Sequence, residues 1–182
     1  MLEYPIYSGE PFKPNIDADG QLMYQFIVGI DPAPDGFYSV AYDWANERII
    51  HVDKDDIYEP TWARSLVVVE KIMSYGMAVS TTIFKTVFNT GFLEAEWAGR
   101  TRVYGPWIAY VDRKDVKMHF CNSMRAKDTN IRAALIDRFG EPGTKKNPGI
   151  LYGIKKDWWA ALAVAVYAAD WLQQQQSNRI GG

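Results

Sequence analysis

Residues 65 to 69, Ser-Leu-Val-Val-Val, carry β-branched and apolar side chains on consecutive positions and stop at a carboxylate, Glu70. Successive side chains of a strand point to opposite faces, so a run that is apolar at every position belongs to a strand buried on both. A chain with such a strand must supply cover for each face. Downstream segments with helical periodicity provide it, at 80–98, 113–121, 129–139 and 156–174, the last of them rich in alanine. The chain therefore reads as an α/β domain.

A second stretch repeats the pattern. Phe26-Ile27-Val28 leads through Gly29 and Ile30 to Asp31, and a Pro/Gly turn, Pro32-Ala33-Pro34-Asp35-Gly36, starts an alternating run. Strands are expected at 25–31, 36–43 and 47–53, joined closely enough to form an antiparallel meander, and another at 106–111. A charge beside a core is costly unless it is paired, hydrogen-bonded or bound to a metal. Taken alone, Asp31 is a turn-capping residue or an ion ligand. Glu70 occupies the equivalent place at the end of another buried strand. A third carboxylate, Asp157, opens the alanine-rich helix, where the helix dipole also favours it.

Strand then Asp, meander, strand then Glu, and a final helix opened by Asp is the element order of a ribonuclease-H-like fold. Its mixed five-stranded sheet combines an antiparallel three-strand meander with parallel strands and is flanked by helices. In that fold the first and fourth strands are neighbours, which brings Asp31 to Glu70, and the last helix brings Asp157 to both. Three carboxylates without His or Cys form a hard oxygen site suited to Mg2+ or Mn2+. Two such ions can clamp the attacking and leaving oxygens of a phosphoryl displacement.

Three segments carry a more specific likeness. Gly29-Ile30-Asp31-Pro32 with Gly36, Val67-Val68-Val69-Glu70, and Asp157-Trp-Trp-Ala-Ala-Leu-Ala-Val-Ala-Val166 resemble, in order, the acidic motifs of the RuvC-type Holliday junction resolvases. The likeness spans about residues 25–170, and the basic middle is similar to that of phage- and prophage-borne RuvC-like proteins. It implies catalytic and metal-ligand roles for Asp31, Glu70 and Asp157, two Mg2+ ions per site with Mn2+ as a substitute, and 5′-phosphate and 3′-hydroxyl products. It also implies a homodimer acting on branched DNA. One departure is plain: the family helix bears a second Asp three residues after the first, and this chain has Ala160 there. Either Asp157 serves alone with waters, a loop acid such as Asp35 or Asp128 substitutes, or activity is reduced; the first is favoured, because position 157 opens the helix and can aim at the site.

Charge distribution fits a polyanion partner. The chain has 20 Lys and Arg against 22 Asp and Glu, yet residues 111–156 hold 11 against 5, leaving 9 against 17 elsewhere. A basic segment on an acidic body is a candidate DNA-binding face, and a solvated helix face is the plainer alternative. Arg113, Lys117, Arg125, Lys127, Arg132, Lys145 and Lys146 are its candidate phosphate contacts, the lysine pair in a Gly/Pro-rich loop between Gly140 and Gly153. Exposed aromatics such as Tyr75 or Phe92 are candidate base-stacking platforms, with burial in the core the favoured alternative.

Other classes fall away or remain as alternatives. Sugar-kinase-type ATP binding on this fold needs a second lobe, for which 182 residues are too few, so no nucleotide cofactor is expected. The apolar run 158–169 is too short to span a membrane. The lone Cys121 excludes an intrachain disulfide framework, and with no basic region at the N-terminus a cytoplasmic location is expected. A branched-DNA or RNA-hybrid nuclease, and a non-catalytic DNA-binding or assembly protein, are the competing functions. The domain organisation expected is an extension at 1–24, a nuclease domain at 25–174 and a flexible tail at 175–182.

Overall fold

A computed structural model describes residues 24–56, 65–73, 79–100 and 107–180. In chain order these form β1 (Phe26–Ala33), β2 (Gly36–Asp43), β3 (Arg48–Lys54), β4 (Ser65–Lys71), α1 (Thr81–Arg100), β5 (Trp107–Asp112), α2 (Arg113–Cys121), α3 (Asp128–Phe139), β6 (Gly143–Thr144), β7 (Asn147–Pro148) and α4 (Trp158–Ile180). Residues 1–23 of the extension expected at 1–24, and residues 57–64, 74–78, 101–106 and 181–182, lie outside the described residues.

The main sheet has the order β3-β2-β1-β4-β5. β1, β2 and β3 are the antiparallel meander, while β4 and β5 run parallel to β1. The expected mixed α/β architecture is what the chain adopts. On β1 and β4 the strand period sorts side chains cleanly. Ile27 joins Leu66 and Val68 in the core beneath α4, and Val28 and Ile30 join Val67, Val69 and Leu93 of α1 on the other face. Every side chain from Leu66 to Val69 is buried, as the consecutive apolar run requires.

α4 is the helix that closes the site-bearing face. Ala161 through Ala169 are all buried, and the alanines among them, Ala161 and Ala165 over Gly29, let the helix lie close on the sheet. At Gly29 a Cβ atom would stand 2.0 Å from the Ala161 carbonyl oxygen and 2.6 Å from the Ala165 amide nitrogen, so only glycine admits the helix at this distance. The helix also runs to Ile180, six residues past the end expected at Gln174, because nothing in the Gln-rich segment breaks it.

Three further boundaries differ from expectation. β1 continues past Asp31 through Pro32 and Ala33, whose partners are Phe37 and Gly36, so the turn is shorter than a Pro/Gly-rich segment suggests. The loop after α3 contains the small β6–β7 hairpin. α1 runs to Arg100, two residues past the end expected at 98, and its apolar positions Ile83 and Val87 are exposed.

Candidate active site

Asp31 sits where the sheet divides. β1 pairs in parallel with β4 from Phe26 to Ile30 and leaves it there, yet stays paired with β2 at Asp31 and Tyr38. Glu70 follows Val69, the partner of Ile30, so both carboxylates emerge on the α4 side just beyond the last rung that joins their strands. Carboxyl ends of neighbouring parallel strands are where open α/β sheets place their ligands.

Asp157 approaches from the helix. Its carbonyl accepts hydrogen bonds from the Ala160 and Ala161 amides at 3.0 and 3.2 Å, which places it at the cap rather than inside the first turn. Lys156 turns the chain into the helix with φ 48°, an uncommon value for a residue with a side chain. Trp158 fixes the same end, donating its indole N–H to the Asp53 carbonyl at 2.8 Å and meeting Tyr38 edge to face at 5.8 Å.

The electrostatics at Asp31 disfavour its charged form. Its pKa is pushed up to about 8, first by burial and then by the charge of Glu70, with Arg113 opposing and Asp157 adding a smaller push. Glu70 is also raised, through burial offset by Arg113. Arg113 donates from Nη1 to Glu70 Oε2 at 2.6 Å and from Nη2 to Asp128 Oδ1 at 2.5 Å.

Among the described residues, no three His, Cys, Asp or Glu side chains stand close enough to enclose an ion unaided. The donor set still fits magnesium chemistry, since that ion is commonly held by one or two carboxylates with waters and substrate phosphates completing its shell. Asp31 and Glu70 form the pair, and Asp157 is exposed at its edge. The other acids considered for the place of Ala160 are engaged: Asp128 with Arg113, and Asp35 with Lys54 at 2.6 Å.

The basic candidates divide in space. Arg113 and Lys117 lie on α2, and both charges act on Glu70. Lys127 caps α3, Arg125 is exposed just before it, and the Arg132 guanidinium covers the Trp159 ring at 4.8 Å. Lys145 and Lys146 form the tip of the β6–β7 hairpin. Phe92 is exposed, contrary to the core assignment favoured for it, and Tyr75 lies outside the described residues. Tyr38 and Trp158 went unnoticed in the sequence, although the alternation of β2 that buries Val40 and Tyr42 also turns Tyr38 toward α4.

No protein-family model and no curated protein matches the chain. Solved structures do. Thermus thermophilus RuvC aligns over 83% of this chain and 97% of its own with TM-score 0.55 and 16% identity. The same protein in complex with Holliday junction substrate aligns over 84% and 98% with TM-score 0.57 and 14% identity. The chain has the RuvC fold. The yeast mitochondrial Holliday junction resolvase Ydc2 shares it at TM-score 0.50 and 12% identity, over 86% of this chain and 84% of its own. Among the described residues, no helix of this RuvC-like domain is long and apolar enough to cross a membrane.

Proposed function

We propose that this protein is a metal-dependent, structure-selective DNA endonuclease that resolves four-way junctions by paired phosphodiester hydrolysis. The observation that carries the proposal is the convergence of Asp31 and Glu70 at the divided end of two parallel strands, with Asp31 held abnormally basic for a carboxyl. A solved neighbour of the same fold is described in complex with Holliday junction substrate.

In this reading Asp31, Glu70 and Asp157 hold the divalent ions, Mg2+ or Mn2+. When bound, the ions would supply charge neutralisation at the scissile phosphate and a more acidic water. The chain's own residues do the positioning. β1 and β4 fix Asp31 and Glu70 on rigid backbone, Trp158 anchors the helix end that carries Asp157, and Lys117 neutralises phosphate beside the carboxylates. Arg125, Lys127 and Arg132 extend the contact along α3, and Lys145 and Lys146 reach another arm of the DNA. Cleaving four-way, forked and RNA-hybrid substrates side by side, mapped to the nucleotide, tests the proposal. Metal-dependent nicks placed symmetrically in two opposed strands of the four-way junction are expected; equal cleavage of all three substrates overturns the junction preference.

Two-fold symmetric nicking requires two active sites. Phe84, Phe88 and Phe92 recur every four residues on one face of α1 and are 65%, 72% and 67% exposed. An unbroken apolar stripe of this kind on a water-exposed helix is suited to burial against its own copy. Phe88→Asp is expected to turn a sedimenting dimer into a monomer that nicks one strand at a time. A wild-type chain that sediments as a monomer at micromolar concentration overturns the dimer.

Ala160 favours a second reading, in which the domain binds branched DNA without cutting it. Mn2+ diffused into crystals separates the two: density between Asp31 and Glu70 supports the nuclease, and an empty site at saturating Mn2+ supports the binding protein.

A further inference from the structure

The Glu70 side chain is only 14% exposed, and that of Arg113, whose guanidinium compensates it, is 22% exposed. The same guanidinium spans outward to Asp128, which is 80% exposed and belongs to the first turn of α3. Arg113 thus bridges an inner acid that the nuclease reading assigns to metal and an outer acid that the reading does not use. Glu70 Oε2 is the atom that accepts the 2.6 Å hydrogen bond. A guanidinium at that distance covers the oxygen and repels a second cation, so Glu70 cannot serve Arg113 and a divalent ion together on that atom.

Resting on the nuclease reading, we propose that Arg113 is the resident cation of the carboxylate site, giving up Glu70 when a divalent ion enters and remaining tethered beside the site by Asp128. Asp128 lowers the cost of release, because the arginine keeps one charge-assisted hydrogen bond when it loses the other. The freed Nη1 arm then faces the DNA next to the scissile phosphate, where a planar guanidinium suits phosphate oxygens. Arg113 is accordingly a positioning residue for Glu70 in the resting protein and a phosphate contact in the loaded one. Asp128 is neither a metal ligand nor the substitute for the missing acid at position 160; it is the tether.

Mn2+ binding to the full-length protein without DNA, followed by the electron paramagnetic resonance of the free ion, provides the test. Arg113→Gln is expected to tighten Mn2+ binding about tenfold, which corresponds to about 1.4 kcal/mol, and Asp128→Asn to weaken it severalfold. In a Glu70→Gln background the gain from Arg113→Gln should disappear. Unchanged or weaker Mn2+ binding in Arg113→Gln, or the same gain without Glu70, overturns the proposal. Removing the arginine leaves Glu70 buried and unpaired, which itself destabilises the fold. The wild-type protein therefore supplies an independent readout: the guanidinium NMR signals of Arg113 should move on adding Mg2+, and signals that stay in place overturn the proposal. Asp31→Asn separates the two levels of inference. If it binds Mn2+ as the wild type does, the ion lies elsewhere and the nuclease reading falls too. If it abolishes binding while Arg113→Gln does not tighten it, only the resident-cation role falls.

Discussion

Replacing Asp31 with Asn is expected to reduce junction cleavage at least a thousandfold while making the metal-free protein more stable at neutral pH. The two effects have one origin. Burial and the Glu70 charge raise the Asp31 pKa to about 8, whereas an unfolded Asp titrates near 3.9. Between those values the folded protein holds a proton that the unfolded chain has released, so the folded state binds more protons and stability falls as pH rises. The contribution is intact below about pH 4, is lost progressively as pH rises toward 8, and leaves a penalty of several kcal/mol above that, as an order of magnitude. Asparagine has no proton to lose and escapes it. A divalent cation removes the same penalty in the wild type by giving the carboxylates a partner, so added Mg2+ should stabilise the wild type above pH 7 and leave Asp31→Asn unmoved. Urea unfolding from pH 4 to 8, with EDTA and with Mg2+, checks both statements, and electrophoretic mobility shift checks that junction binding survives. Full cleavage by Asp31→Asn would sink the catalytic assignment. A wild-type stability that does not decline across this pH range would sink the electrostatic one.

Much of the frame was legible because it is written in short-range patterns. The consecutive apolar run at 65–69 can satisfy only a strand covered on both faces, and the alanine run after Asp157 can satisfy only a helix packed tightly on something flat. The order of these elements after the meander resembles a ribonuclease-H-like fold, and it is that resemblance which implied Asp31 and Glu70 at neighbouring strand ends. Interactions between distant residues were not legible. Arg113 lies 43 residues from Glu70 and 15 from Asp128, and its charge reads equally well as a phosphate contact or as an internal partner until the strands are in place. Periodicity also says which face of a helix is apolar but not what that face meets. On α1, Ile83 and Val87 belong to the apolar pattern of the segment read as helical at 80–98, yet both are exposed. Gly29 is a third case. In the sequence it is one letter of a Gly-Ile-Asp-Pro motif, whereas its role is steric and depends on a helix more than 130 positions away.

Gly29→Ala is expected to be the most damaging single-methyl change in the protein, costing on the order of 3 kcal/mol or more of folding stability. The reason lies in what the methyl group would touch. Its nearest neighbours at 2.0 and 2.6 Å are the Ala161 carbonyl oxygen and the Ala165 amide nitrogen, both backbone atoms of a helix whose residues 161 to 169 are buried throughout. A flexible side chain could swing aside, but backbone held in a hydrogen-bonded helix moves only as a body. Relief then requires α4 to lift from the sheet, which opens the core along Ile27, Val40 and Leu162 and carries Asp157 away from Asp31. Cleavage should therefore fall even in the fraction that remains folded. Because the clash is with backbone, trimming the facing side chain with Ala165→Gly should recover little. Conversely, at Gly91, where a Cβ would meet nothing within 4 Å, alanine should stabilise α1 by roughly 1 kcal/mol through helix propensity alone. Thermal and urea unfolding of the Gly29→Ala, Gly29→Ala/Ala165→Gly and Gly91→Ala variants gives the comparison. A Gly29→Ala protein that melts within a few degrees of the wild type would mean that α4 does not lie on β1 as closely as described, and the placement of Asp157 would fall with it.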